Sequence, residues 1–190
     1  GNYVEWGRQE AGSDEHARPF TGKIHNNLAF LHDSVMIPSS GTKKISSSQG
    51  HAMMKDHPFR QSRIEQANNN LHKIRQAITN GDFQAFSEAS EEEALSLHAM
   101  MLSSKPGYIL FNGSTIKIID ELYKFRDSTG TSLTFTLDAG PNVHILYPTA
   151  QKEKVRDWMH QQIKPHCENG KMIHDFTGTG PEKLDRNENQ

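Results

Sequence analysis

The segment SLTFTLDAGPNVHILYP, residues 132–148, constrains the fold more than any other part of the chain. Leu133, Phe135 and Leu137 alternate with Ser132, Thr134 and Thr136, and Val143, Ile145 and Tyr147 alternate in the run that follows. A period of two is the signature of a strand with one buried face. Only DAGPN separates the two runs, so they are expected to pair as an antiparallel hairpin with Asp138 at its mouth. That carboxylate has two readings. It could close an Asx-turn by accepting from an amide two residues on. It could equally be presented into a cleft as a base or orienting group, where burial would raise its pKa and a cation lower it. Spacing does not choose between them.

The rest of the chain supplies helices to cover such a hairpin. From Asp56, a candidate N-cap with Pro58 in the first turn, Ile64, Ala67, Leu71, Ile74 and Ile78 recur at spacings of three and four until Gly81. Asp82 can cap a second helix with Phe83, Phe86, Ala94, Leu97 and Met101 inward and EASEEE on a solvated face, ending at Pro106–Gly107. A third helix is expected over 113–127, capped by Ser114 or Asn112, with Ile116, Ile119, Leu122 and Tyr123 on one face. A fourth follows Thr149, with Val155, Trp158, Met159 and Ile163 inward and Pro165 as its stop. Residues 29–38 have strand composition, and 42–48 could return beside them as a hairpin. Residues 1–27 show no sustained period and suggest a short strand and a long connection. The implied organisation is a strand and connection at 1–28, an α+β domain over 29–170, and a surface tail at 171–190. Helices on one side of a mostly antiparallel sheet make an α+β sandwich of the ferredoxin-like kind.

Composition narrows the function. With 21 basic and 23 acidic residues and no polybasic cluster, the chain has no footprint for nucleic acid. The one cysteine, Cys167, excludes an internal disulfide and fits a reducing compartment, and no apolar run is long enough for a membrane helix, so a cytoplasmic protein is expected. Eleven histidines include no HExxH spacing and Cys167 has no CxxC partner, so no protein-held metal is expected. His98, Met53, Met54, Met100 and Met101 read as core residues. TKKISSSQGH, residues 42–51, has two readings: its hydroxyls and backbone donors could hold phosphate oxygens, or it is a serine-rich turn. No Walker-type loop or GxGxxG is present.

NYVEWG (2–7), TKKISSSQG (42–50), SLHAMML (96–102), FTLDAGPNVHIL (135–146) and KMIHDFTGTGPEKL (171–184) together resemble the diphosphomevalonate decarboxylase family of the GHMP kinase superfamily. They follow the family's order and about its spacing. The resemblance implies the ferredoxin-like C-terminal domain of the GHMP kinase fold, an antiparallel sheet covered by helices. It also implies an enzyme that uses ATP and Mg²⁺ to turn mevalonate 5-diphosphate into isopentenyl diphosphate, ADP, phosphate and CO₂. By that likeness Asp138 is the catalytic carboxylate facing the 3-hydroxyl, and Ser46, Ser47, Ser48 and Gly140 contact the substrate. Some bacterial members carry Arg where Ser48 stands. The family's Lys/Tyr substrate segment, ATP phosphate loop and serine-rich segment ending in Arg have no counterpart here. The chain therefore resembles a second half, whose partners would be mevalonate 5-diphosphate, ATP, an N-terminal domain and a second copy in a homodimer; alone it would have little or no activity. Competing expectations are the same domain of a mevalonate kinase or phosphomevalonate decarboxylase, and a non-catalytic stand-alone domain.

Overall fold

The computed structural model describes residues 3–7, 16–41 and 54–178. Strands β1 (Val4–Gly7) and β2 (His16–Pro19) form a small antiparallel ladder of their own, so part of the expected connection is regular structure. A single turn, α1 (Asn26–Ala29), leads into β3 (Leu31–Met36). Helices α2 (Arg60–Asn80), α3 (Phe83–Ser103) and α4 (Gly113–Thr129) come next, followed by β4 (Thr134–Leu137) and β5 (Val143–Pro148). Helix α5 (Lys152–Trp158) starts from a 3₁₀ turn at Thr149–Gln151 and widens into a π turn at Met159–Ile163. Pro165 lies inside a further 3₁₀ turn, Lys164–His166, instead of ending the helix. Strand β6 (Met172–Phe176) completes the main sheet, whose order is β4-β5-β3-β6 with every neighbour antiparallel.

This is the βαββαβ pattern expected of a ferredoxin-like domain, with the first strand of the pattern central in the sheet. It needs a fourth strand, and β6 provides it. The reading of 171–190 as surface tail is therefore corrected for Met172–Phe176, which pair with His32–Met36; residues 179–190 lie outside the described part. β6 escaped notice because an edge strand is short and mostly solvated, so apolar Met172 and Phe176 share a face with His174. The suggested hairpin between 29–38 and 42–48 is also corrected on the strand side: β5 and β6 occupy both edges of β3. Residues 42–48 themselves lie outside the described part.

Each face of the sheet has its own core. Met36, Phe135, Val143, Ile145 and Tyr147 meet Ile118 and Leu122 of α4 and Val155, Trp158, Met159 and Ile163 of the α5 segment. On the opposite face Leu31 and Leu146 pack with Leu28, Ala77, Ile78 and Phe86, so the α2–α3 hairpin reaches round to the side that the one-sided sandwich left bare. Ion pairs from Glu5 to Arg18 and Arg75 tie the β1–β2 ladder to α2.

The helices carry three further corrections. α2 begins at Arg60, after a turn containing Asp56 and Pro58, and ends where Gly81 adopts φ 73°, a conformation glycine reaches without strain. Its buried line runs through Asn70, Ala77 and Ile78 while Ile64 and Leu71 remain exposed, and on α4 Ile118 is buried while Ile116 is exposed. EASEEE is not a solvated face, because Ala89, Ser90 and Glu91 are buried. Glu91 receives Arg126 Nη1 at 2.6 Å and Thr134 Oγ1 at 2.7 Å, a link between α3, α4 and β4. No helix among the described residues is long and apolar enough to cross a membrane.

Candidate active site

β4 and β5 pair from Thr134↔Leu146 to Leu137↔Val143, which leaves Asp138–Asn142 as the hairpin loop. Three elements fix that loop. Asn142 Nδ2 donates to Asp138 Oδ2 at 3.1 Å, a side-chain bond across the loop from four residues on. Thr115 Oγ1 donates to the Pro141 carbonyl at 2.7 Å from the first turn of α4, where Asn112 and Thr115 form a reciprocal capping box. His98 of α3 lies 3.2 Å from the Asp138 carbonyl. A carbonyl only accepts, so Nε2 must carry the hydrogen. His98 is buried beside the Phe111 ring, and burial outweighs its contacts with Asp138 to hold its pKa below the usual value. It is a neutral strut under the backbone of Asp138.

Asp138 itself is half-buried, and Gly140 in the same loop is buried. Beside Asp138 on this face stands His144, the cross-strand partner of Thr136. His144 Nδ1 lies 2.9 Å from Asp33 Oδ2 on β3. That hydrogen bond, with smaller contributions from the charges of Asp33 and Asp138, raises the His144 pKa against the opposing effect of burial. Asp33 on β3, His144 on β5 and Asp138 in the loop after β4 therefore lie near one another. An anchored carboxylate next to a favoured imidazolium can accept a proton, orient a hydroxyl, or stabilise a positive charge developing nearby.

Sequence reasoning singled out Asp138 and Gly140, and the structure places both in this loop. Ser46, Ser47 and Ser48 lie outside the described residues. Asp33, His144 and the role of His98 were missed. The signal for His144 was present, since it breaks the apolar run VHIL on the face opposite Val143 and Ile145, but its partner Asp33 is 111 residues away. Among the described residues no group of three or more His, Cys, Asp or Glu could hold a metal ion.

Residues 34–189 match the family model described as mevalonate 5-diphosphate decarboxylase C-terminal domain. The chain belongs to this family. A diphosphomevalonate decarboxylase of Saccharomyces cerevisiae is 29% identical over 158 residues, covering 80% of this chain and 39% of the relative. A phosphomevalonate decarboxylase of Haloferax volcanii is 29% identical over 97 residues, covering 51% of this chain and 30% of the relative. The crystal structure of a mevalonate diphosphate decarboxylase from Legionella pneumophila superposes with a TM-score of 0.72 at 25% identity, over 83% of this chain and 48% of that one. The chain thus spans less than half the length of these relatives.

Proposed function

We propose that this chain is the C-terminal, substrate-facing part of an ATP-dependent decarboxylase that converts mevalonate 5-diphosphate into isopentenyl diphosphate, ADP, phosphate and CO₂. The observation that carries the reading is the anchoring of Asp138: its backbone is held from α3, its loop from α4 and its carboxylate from Asn142, while it remains half-buried. Fixed geometry of this kind is what general-base and electrostatic catalysis require.

In this reading Asp138 accepts the proton of the tertiary 3-hydroxyl as that oxygen takes the γ-phosphoryl group of ATP. The phosphorylated oxygen then leaves as phosphate, and the electrons of the breaking carbon–carboxylate bond form the new double bond as CO₂ departs. Once the proton it accepted has passed to solvent, the Asp138 carboxylate beside the tertiary carbon stabilises the positive charge that builds there. His144, whose pKa is raised chiefly by its hydrogen bond to Asp33, stands on the same face of the sheet as Asp138. ATP and Mg²⁺ supply the phosphoryl group and its charge neutralisation. By the family resemblance both would be held mainly by an N-terminal half. A solved structure of the same fold, 21% identical, is a complex with MVAPP, AMPPCP and magnesium. Location in the cytoplasm and assembly as a homodimer complete the proposal and rest on the sequence reading alone.

In the enzyme completed by its N-terminal half, Asp138→Asn should lower turnover by about 10²–10⁴-fold, the usual worth of a general base, with folding and substrate KM nearly unchanged. Near-normal turnover would remove the mechanism. The Haloferax volcanii relative favours a second reading with a monophosphate substrate. Ser47→Ala and Ser48→Ala discriminate: a KM raised for the diphosphate with a smaller effect on kcat supports the first reading. An unchanged KM supports the second, or a plain turn.

A further inference from the structure

At the sheet edge opposite β4, on the helix-covered face, lies a second group of polar side chains that the proposed reaction does not use. Ser34 of β3 is the register partner of His174 of β6. Its Oγ lies 2.8 Å from His174 Nδ1 and 2.8 Å from the Tyr147 hydroxyl. His32 stacks on Tyr147 with ring centroids 5.3 Å apart. Over them runs the α5 segment, where Lys152, Arg156 and His160 recur every four residues and so share one side. The His160 and His174 rings are 6.2 Å apart. Five groups able to carry positive charge therefore converge from three elements.

The nearby carboxylates are directed elsewhere. Asp33 and Asp175 are register partners on the other face of the sheet, and Asp33 is bonded to His144. Asp157 lines a hollow with Glu121, Lys124 and Lys154 on the α4 side. Glu153 is 85% exposed and comes within 3.8 Å of Lys152 alone. Among the described residues Arg156 forms no ion pair, and its Nε is buried without a hydrogen-bond partner.

His32 supplies an independent sign. It is 7% exposed, and its Nε2 lies 3.3 Å from Thr149 Oγ1. The Thr149 hydroxyl gives its hydrogen to the Phe30 carbonyl, so in the neutral ring Nε2 donates and Nδ1 is left as a buried atom without a partner. A buried polar atom of this sort costs stability until something satisfies it. Burial first, then Arg156 and Lys152, holds His32 below its ordinary pKa; burial, Arg156, His160 and His32 do the same to His174. The backbone beside the cluster is the π turn Met159–Ile163, a form that recurs at functional sites.

We propose that Arg156, His160, His174 and His32 form a binding site for a small oxyanion of the phosphate class. The ligand would turn mutual repulsion into attraction, with Arg156 and His160 donating from the helix, His174 through Nε2 from the strand, and His32 becoming a donor at both ring nitrogens by taking up a proton. A metal ion would instead add to the positive charge. The inference is independent of the decarboxylase reading, because Asp138 lies at the other edge of the sheet.

The test is titration of the intact protein with inorganic phosphate at ionic strength matched with KCl, following the histidine Cε1 resonances and the heat of binding. Phosphate should raise the titration midpoints of His174 and His32, and Arg156→Gln should weaken binding about tenfold or more, the loss of one charge-assisted bond. Arg156→Gln should also raise thermal stability in phosphate-free buffer while abolishing the stabilisation by phosphate, a pair of effects that a merely structural arginine would not produce. If that variant fails to fold, the exposed His160→Gln carries the same comparison. Midpoints that move no more with phosphate than with KCl, or equal affinity in the variants, would overturn the proposal. Glycerol phosphate tested in parallel identifies the source: affinity equal to that of phosphate means a phosphoryl group is recognised, and weaker affinity means the free ion.

Discussion

Glu91→Ala should be among the most damaging single changes outside the hydrophobic core. The Glu91 carboxylate is 8% exposed and binds Arg126 Nη1 at 2.6 Å, Arg126 Nη2 at 3.3 Å and Thr134 Oγ1 at 2.7 Å. Removing one member of a buried ion pair costs about 3–5 kcal/mol, because the other charge stays behind without compensation. Arg126 retains 24% of its side chain in solvent and two neutral acceptors, Ser87 Oγ and the Leu133 carbonyl, so a cost of about 2–4 kcal/mol is expected. At roughly 2–4 °C per kcal/mol for a domain of this size, the midpoint of melting should fall by about 6–12 °C for a loss of about 3 kcal/mol. Glu91→Gln keeps the volume and an acceptor for Thr134, and should cost about 1–2 kcal/mol. Urea unfolding at neutral pH, fitted with a common m-value, measures both. The double variant Glu91→Leu/Arg126→Leu is the control, since exchanging a whole buried pair for apolar groups is often nearly neutral. A Glu91→Ala cost below about 1 kcal/mol, or a double variant no better than the single, would refute the claim that the pair joins α3, α4 and β4.

The Asp33–His144 pair makes a pH prediction. His144 has its pKa raised in the fold, so its contribution to stability is complete below the unfolded value of about 6.5 and is lost as pH rises through the folded value; His32, His98 and His174 are lowered and act in the opposite sense. Asp33→Asn should therefore destabilise more at about pH 5.5 than at about pH 8, steepening the acid loss; equal urea midpoint shifts at both would refute it. Asn112→Ala removes the side-chain half of the α4 capping box and should cost about 1 kcal/mol in the same assay. Thr115→Val removes the bond to the Pro141 carbonyl as well, and in the completed enzyme should lower kcat more than it changes KM, as expected when a loop that positions Asp138 loosens.

How far each element could be read from sequence depended on whether its signal was local. The β4–β5 hairpin was legible because both halves of its alternation lie within 17 residues, and the α4 cap was narrowed to Ser114 or Asn112, of which Asn112 serves. The α+β class was legible from the strands and helices, but the order β4-β5-β3-β6 was not: β3 was expected to pair with 42–48, and β6 was hidden by its polar, solvated edge. Helix faces misled wherever a helix packs on only one side: Ile64, Leu71 and Ile116 fit an apolar stripe yet are exposed, while Asn70 and Glu91 are buried by partners far along the chain. Of the candidate site, Asp138 and Gly140 could be named from a motif. What holds them could not, since His98 and Thr115 reach the loop across 40 and 26 residues.

The two edges of the sheet differ in how their charged groups are balanced: His144 stands between the carboxylates of Asp33 and Asp138 at one, while His32, His174, His160 and Arg156 face one another at the other. Around Asp138 the protein provides donors for backbone and side chain alike, from Asn142, Thr115 and His98, so the geometry exists before any substrate arrives. Preorganisation of this kind belongs to chemistry, because no reorganisation remains to be done at the transition state. Around His32 and Arg156 the groups able to carry positive charge oppose one another's protonation. Such an arrangement has no catalytic advantage by itself and costs stability until a counter-charge enters, which is the signature of binding coupled to protonation. A ligand at the second edge would tighten β6 against β3 and α5 while leaving the hairpin at the first edge unchanged. Occupancy should therefore appear in stability and histidine titration, and turnover at Asp138 should not depend on it.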